Sequence, residues 1–220
     1  EKILLYTDKR TDNKIIVKNV NAKHVLARNT IPVTANSVDI CITSPPYGDH
    51  RTTVAYGQYS QDPALITGEY GYDEMKSVDK DGLGGANSTT DDVDADRILS
   101  VSNTMQKTLE VLDDEDSDRA DDAMDFVTDY FDVMQTVTKA VKPGQPIVWV
   151  VANRTMAGVQ IPTHLITKEL CESLGCTHEH TLPRDIPSKT LPWKNSPSNV
   201  VDETEELMSE EHIIILRNNT

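Results

Sequence analysis

Cysteine is scarce in this chain of 220 residues: Cys41, Cys171 and Cys176 form an odd set with no framework spacing. No disulfide is expected, and a reducing, cytoplasmic compartment suits that usage. Aromatic residues are scarce too, at 5%, within a hydrophobic content of 37%. With the chain's high charge, part of it is therefore expected to be poorly ordered. No apolar run approaches the ~20 residues needed to cross a bilayer, so a membrane partner is not expected. The opening Glu1-Lys2-Ile3-Leu4-Leu5-Tyr6 is too short and too polar in its flank for a signal peptide. The chain starts with Glu, which suggests a fragment, a processed product or one piece of a longer protein.

Positive charge is also in deficit, with a formal net charge of -15, but unevenly. Residues 62–132 hold 21 acids and 5 bases, against 15 acids and 16 bases elsewhere. The rest of the chain is near neutral, and residues 133–201 carry seven Lys or Arg against four acids. That local patch keeps a nucleic-acid substrate open. The acidic stretch reads as an insertion at about 60–120 in a single domain spanning 1–220, turned away from any nucleic-acid cleft or serving as a partner-binding arm.

Along the chain, Lys14–Val20 reads as a strand and Asn21–Leu26 as a helical turn. Ser37–Ile42 is a strand without clean alternation, as for a parallel strand buried on both faces, with Asp39 structural within it. Val101, Met105, Leu109 and Leu112 predict a helix over Leu99–Leu112. The clearest helix spans Asp121–Val141, with acids at its start and Lys139 and Lys142 at its end. Pro143-Gly144 stops it, and Pro146–Val151 is a second buried strand. A helix over Pro162–Leu174 is opened by proline and closed by Gly175. Thr177–Ile186 and His212–Arg217 are late strands joined through a Pro- and Ser-rich loop, predicting an antiparallel edge on a mostly parallel α/β sheet.

The stretch Thr43-Ser44-Pro45-Pro46-Tyr47 follows the first buried strand directly. Two prolines fix φ, remove two donors and hold Ser44 extended, so the strand ends in a stiff bend. In open α/β sheets ligands lie outside the carboxyl ends of the strands. An exocyclic amine on a nucleobase is a poor nucleophile because its lone pair is delocalised into the ring. Two fixed acceptors, Ser44 Oγ and the Pro45 carbonyl, can hold its hydrogens and turn the lone pair outward, while Tyr47 can stack on an unpaired base.

With those residues the chain resembles the amino-methyltransferases of DNA, whose motif is (Ser, Asp or Asn)-Pro-Pro-(Tyr, Phe or Trp). The stretches "VKPGQPIVWVVANR" (141–154) and "EEHIIILRN" (210–218) look like the family's helix end, Pro-Gly turn, following strand and last strand, and "RDIPSKTLPWKNSPSN" (184–199) is similar to a loop of a subgroup. The resemblance implies a Rossmann-like methyltransferase sheet, mostly parallel with an antiparallel edge. It also implies S-adenosylmethionine as cofactor, DNA as partner, Ser44, Pro45, Pro46 and Tyr47 as catalytic residues, and restriction-modification as the setting. The serine form favours N4 of cytosine over N6 of adenine. Thr43 falls on the cofactor side, as does Asn21, which stands where the related pattern usually has Asp. The family's Phe-x-Gly-x-Gly loop is absent, so the N-terminal cofactor-binding part is read as missing, supplied by an upstream segment or a second subunit. Gly82-Leu83-Gly84-Gly85 lacks a preceding strand and does not replace it.

Arg51, Tyr56 and Tyr59 in the loop after the motif, and Arg154, Arg184, Lys189 and Lys194 beyond it, are candidate DNA contacts, with a solvated loop as the alternative. His178-x-His180 places both rings on one strand face, but with Cys171 and Cys176 it matches no usual zinc spacing, so no metal is expected. Two rival functions stay open: a non-catalytic or half-site DNA-binding subunit without its own cofactor loop, and a methyltransferase acting on RNA or adenine N6.

Overall fold

The computed structural model describes residues 26, 33–46, 83–85, 90–186, 194–195, 205–206 and 210–220. Among the described residues, four helices, a four-stranded sheet and two two-stranded ladders carry the architecture. In chain order they are β1 (Cys41–Thr43), α1 (Asp92–Val101), α2 (Asn103–Glu115), α3 (Ser117–Ala140), β2 (Pro146–Ala152), β3 (Arg154–Met156), β4 (Val159–Ile161), α4 (Thr163–Ser173), β5 (Cys176–Asp185), β6 (Lys194–Asn195), β7 (Glu205–Glu206) and β8 (Glu210–Asn218). The expected Lys14–Val20 strand lies outside the described residues, as does the Asn21–Leu26 turn apart from Leu26.

The sheet runs β1-β2-β8-β5. β1 is parallel to β2, and β8 is antiparallel to both of its neighbours. An α/β layer is thus present, and its β8-β5 margin is the antiparallel edge that the two late strands predict; the strand that runs against the rest is β8. It lies one strand in, and β5 beyond it points the same way as β1 and β2. Hydrogen-bonded order follows non-local pairing, which a strand-by-strand reading does not contain.

Helices pack where apolar stripes demand it. Asp116 caps α3, its carboxylate accepting from the Arg119 N–H at 3.2 Å. The far end of α3 gives its carbonyls to the incoming chain: Asn36 N–H reaches Lys139 O at 2.9 Å and Ser37 N–H reaches Ala140 O at 2.9 Å. Asn218 Nδ2 donates to Thr138 O and Val141 O at 3.0 and 2.7 Å, which ties the last strand to the same helix end. These otherwise orphaned carbonyls are satisfied by two remote segments. The core below is one cluster: Tyr130 and Met134 of α3, Ile166 and Leu170 of α4, and Ile147, Trp149, Ile214 and Leu216 of the sheet, all at most 1% exposed. Trp149 and Tyr130 meet edge to face at 5.3 Å.

Three expectations are corrected. The first strand is shorter and shifted, Cys41–Thr43 with an isolated bridge from Val38 to Val141, and it is not buried on both faces: Ile42 is 67% exposed. Asp39 stands in solvent and pairs with Lys142 at 2.6 Å. The helix expected over Leu99–Leu112 is two helices broken at Ser102, whose buried hydroxyl caps α2 by accepting from Met105 N–H at 3.1 Å. Both helices belong to the core, since Ile98, Met105 and Leu112 are at most 1% exposed. Residues 92–115 are therefore a packed layer of the domain. Finally, His178 and His180 do not share a face. A β-bulge at Glu179 pairs them with the adjacent residues Leu216 and Ile215, and adjacent strand positions face opposite ways.

Candidate active site at the carboxyl end of the sheet

Parallel pairing of Thr43 with Trp149 sets the carboxyl end of β1 beside that of β2. Ser44, Pro45 and Pro46 leave the sheet there, with Pro45 buried and Ser44 and Pro46 exposed. Thr43, half-buried, is the last residue of β1. Burying one proline ring while its neighbours face out is what a fixed bend at a strand end requires. Tyr47, Arg51, Tyr56, Tyr59, Asn21 and Lys189 lie outside the described residues.

The same end of the sheet gathers four polar residues that the sequence reading missed. Asn153 follows the last residue of β2, His164 is the second residue of α4, and Glu210 and His212 begin β8. The His164 backbone N–H and ring Nδ1 both meet Asn153 Oδ1, at 3.4 and 2.7 Å. The backbone contact identifies that atom as oxygen, so Nδ1–H donates and Nε2 keeps its lone pair. The His164 ring stacks on His212 at 4.0 Å with an interplanar angle of 7°. Partial burial, and then the second imidazole, push His164 down to about 4, so it is neutral at ordinary pH. His212 Nε2 lies 3.0 Å from Glu210 Oε1, and its buried Nδ1 has no hydrogen-bond partner among the described residues. His164 and His212 are far apart in the chain, and only strand pairing unites them; the one local signal was a polar Asn at the end of an aliphatic strand.

The basic candidates are dispersed. Arg154 opens β3 opposite Ile161, and Arg184 near the end of β5 forms an ion pair with Glu211 of β8. Lys194 stands on β6 opposite Glu206. Arg184 thus lies near the site end of the sheet, and Lys194 lies in the stretch of chain between β5 and β8. Gly84, in contrast, is a structural residue. Its N–H donates to Asp129 Oδ2 of α3 at 3.0 Å, and a Cβ there would fall 2.9 Å from Phe126 Cβ. A glycine spent on helix packing does not cradle a cofactor.

No protein-family model matches the chain. In sequence it is 35% identical over 182 residues to the Type II methyltransferase M.MvaI of Kocuria varians, over 82% of this chain and 40% of that protein. The chain thus spans about two fifths of the length of that relative. Two crystal structures of a Thermus thermophilus protein, provisionally described as a DNA modification methylase, are 17% and 15% identical to it, the second complexed with S-adenosyl-L-methionine. They cover 90% and 91% of this chain and 52% and 51% of theirs, with TM-scores of 0.41 and 0.40. Only the sequence similarity carries weight: over 82% of its length the chain is similar to two fifths of a Type II methyltransferase.

Proposed function

We propose that this chain is the base-handling portion of a DNA methyltransferase that modifies an exocyclic amine, N4 of cytosine in preference to N6 of adenine. One observation carries the reading: Ser44-Pro45-Pro46 leaves a strand parallel to β2 at the sheet's carboxyl end, in a chain 35% identical to a Type II methyltransferase. Ser44 Oγ and the Pro45 carbonyl accept the two amine hydrogens and aim the nitrogen lone pair away from the ring. Tyr47 stacks on the flipped base, and Arg184 and Lys194 contact phosphates. S-adenosylmethionine supplies the electrophilic methyl group in this reading. The described residues do not by themselves form its cradle, because Gly84 is committed to Asp129 and Phe126. That observation, with the 40% span of the relative, favours a chain that works with further polypeptide over a self-sufficient enzyme.

Labelled methyl transfer to duplexes whose only modifiable amine is cytosine or adenine, with a tRNA in parallel, tests the substrate. The expected outcome is label on cytosine, released as N4-methylcytosine. In the active assembly, Ser44→Ala is expected to lower kcat by roughly 100-fold, the scale of losing one preorganised polar contact. Equal labelling of adenine, or unchanged turnover in Ser44→Ala, would refute the assignment. Titration of the chain alone with S-adenosylmethionine is expected to show no saturable binding.

A further inference from the structure

The chain between β2 and α4 forms a hairpin, β3 and β4, at the carboxyl end of the sheet, and its shape is fixed at three points. Ala157 and Gly158 make a two-residue turn with φ of +47° and +76°, and a turn with both central φ positive has the twist that suits two paired strands. Its inner face is buried, with Met156 and Ile161 in the core cluster. Its base is closed by Asn153, whose Oδ1 accepts from both the backbone N–H and the ring Nδ1–H of His164, at 3.4 and 2.7 Å. Pro162 gives α4 no side-chain cap, so Asn153 supplies one from across the hairpin. His164 in turn stacks flat on His212 of β8. A lone two-stranded hairpin is marginal in water, and these ties hold this one in a set position.

What the hairpin presents is polar and uncharged. Thr155 and Gln160 pair across the ladder on the face opposite Met156, with Gln160 exposed and Thr155 half-buried. Neither side chain makes a hydrogen bond among the described residues. In a chain of net charge -15, the hairpin also lies inside the longest acid-free run: no Asp or Glu occurs from Val133 to Lys168. A polyanion meets no repulsion from this stretch of chain. Its distance from the motif is short. Pro45 is two residues past Thr43 and Arg154 is five past Trp149, the partner of Thr43, so the hairpin begins three residues beyond the level of Pro45. At ~3.3 Å per extended residue that is about 10 Å, or about three base-pair steps of ~3.4 Å.

We propose that the β3–β4 hairpin contacts the edges of base pairs beside the modified base, and that Gln160 and Thr155 determine which neighbouring sequence is accepted. An amide offers a donor and an acceptor together, a pattern that meets an adenine edge at two points, and a threonine hydroxyl serves as either. An uncharged face does little for phosphates, so its contribution is to sequence choice rather than to overall affinity. The role in sequence choice rests on the methyltransferase reading above, whereas contact with DNA is measurable apart from it.

Two measurements test it. In the first, the 220-residue chain carrying Gln160→Cys meets duplexes with disulfide-activated bases, with the parent chain as background. Cross-linking is expected to exceed by at least fivefold that of Lys139→Cys, which is exposed at the opposite end of the sheet beside the start of β1. In the second, the active assembly methylates a pool of duplexes randomised on both sides of the modified base, and the product sequences give the preference at each position. Gln160→Ala and Thr155→Val are each expected to relax the preference at a position within about three base pairs of the modified base by at least fivefold, with other positions and the thermal midpoint unchanged. Absence of the cross-link, an unchanged preference profile, or a loss of turnover that is uniform across sequences would overturn the proposal. Methyl transfer that persists alongside any of those results leaves the methyltransferase reading standing. A cross-link at residue 160 in an assembly that methylates no duplex upholds the contact with DNA and sinks the methyltransferase reading instead.

Discussion

His164 shows how two neighbours set the charge of one ring. Its Nδ1–H is committed to Asn153, its face lies against His212 at 4.0 Å, and a proton on it would be partly desolvated beside a second imidazole. Its folded value is about 4, below the ordinary 6.5, so the unfolded chain takes up the proton first as pH falls. The stabilisation is fully present above about 6.5 and is lost progressively towards 4. The ring is only partly buried, so solvent screening holds the effect to about 1 kcal/mol. Thermal midpoints measured from pH 7 to pH 4 are expected to fall less steeply for His164→Gln than for the parent chain, and parallel curves would show that His164 does not contribute. Gly84 gives a prediction of opposite character. With φ at +62° and Phe126 Cβ 2.9 Å from a notional Cβ, Gly84→Ala should cost about 2 kcal/mol in urea unfolding. The short motif Ser44-Pro45-Pro46 was legible because its constraint is local: two prolines dictate the bend wherever they stand. The histidine pair was not legible, because nothing in the intervening chain encodes that β8 will lie beside β2.

At the scale of elements, the sequence reading succeeded where an amphipathic stripe or a proline and glycine bracket defined the segment. Helices α3 and α4 and strands β2, β5 and β8 fall close to the expected spans for that reason. It failed at Ser102. A serine amid helical spacing was read through, but its hydroxyl turns inward, donating to Glu169 Oε2 at 2.6 Å while accepting from Met105 N–H. Glu169 of α4 also takes the Thr104 N–H at 3.1 Å and the Thr104 hydroxyl at 2.6 Å. A carboxylate from another helix thus holds the positive end of α2, and the break follows from a tertiary contact that no local propensity carries. Two substitutions on α2 separate its buried face from its wet one. Leu112→Ala, at 0% exposure, should destabilise by about 3 kcal/mol through lost packing and a residual cavity. Val111→Ala, one residue earlier and 52% exposed, should stay within about 0.5 kcal/mol. Equal effects in chemical denaturation would mean that α2 is not anchored as described.

For the whole molecule, charge and packing give opposite accounts of residues 92–115. By composition they are part of the acidic region, the least core-like stretch of the chain, and a reading based on charge alone would excise them. By burial they are indispensable: Ile98, Met105 and Leu112 join Tyr130 and Met134 in the same cluster as the sheet residues Trp149 and Ile214. The acids point outward instead, with Asp113 and Asp114 exposed. A helix can be acidic on one face and central on the other, so net charge reports its solvent side only. Each of the three large buried residues is worth about 2–5 kcal/mol when truncated, and their joint loss matches the ~5–15 kcal/mol that holds a typical domain together. Replacing 92–115 by a short Gly-Ser linker is therefore expected to abolish the cooperative thermal transition seen by circular dichroism. Asp113→Asn with Asp114→Asn, which removes two charges but no buried contact, should shift the midpoint by only a few degrees. A deletion variant that still melts cooperatively at the parent temperature would show that this layer is dispensable to the fold. A collapse confined to the deletion would show that the acidity of this layer is a surface property of a structural element.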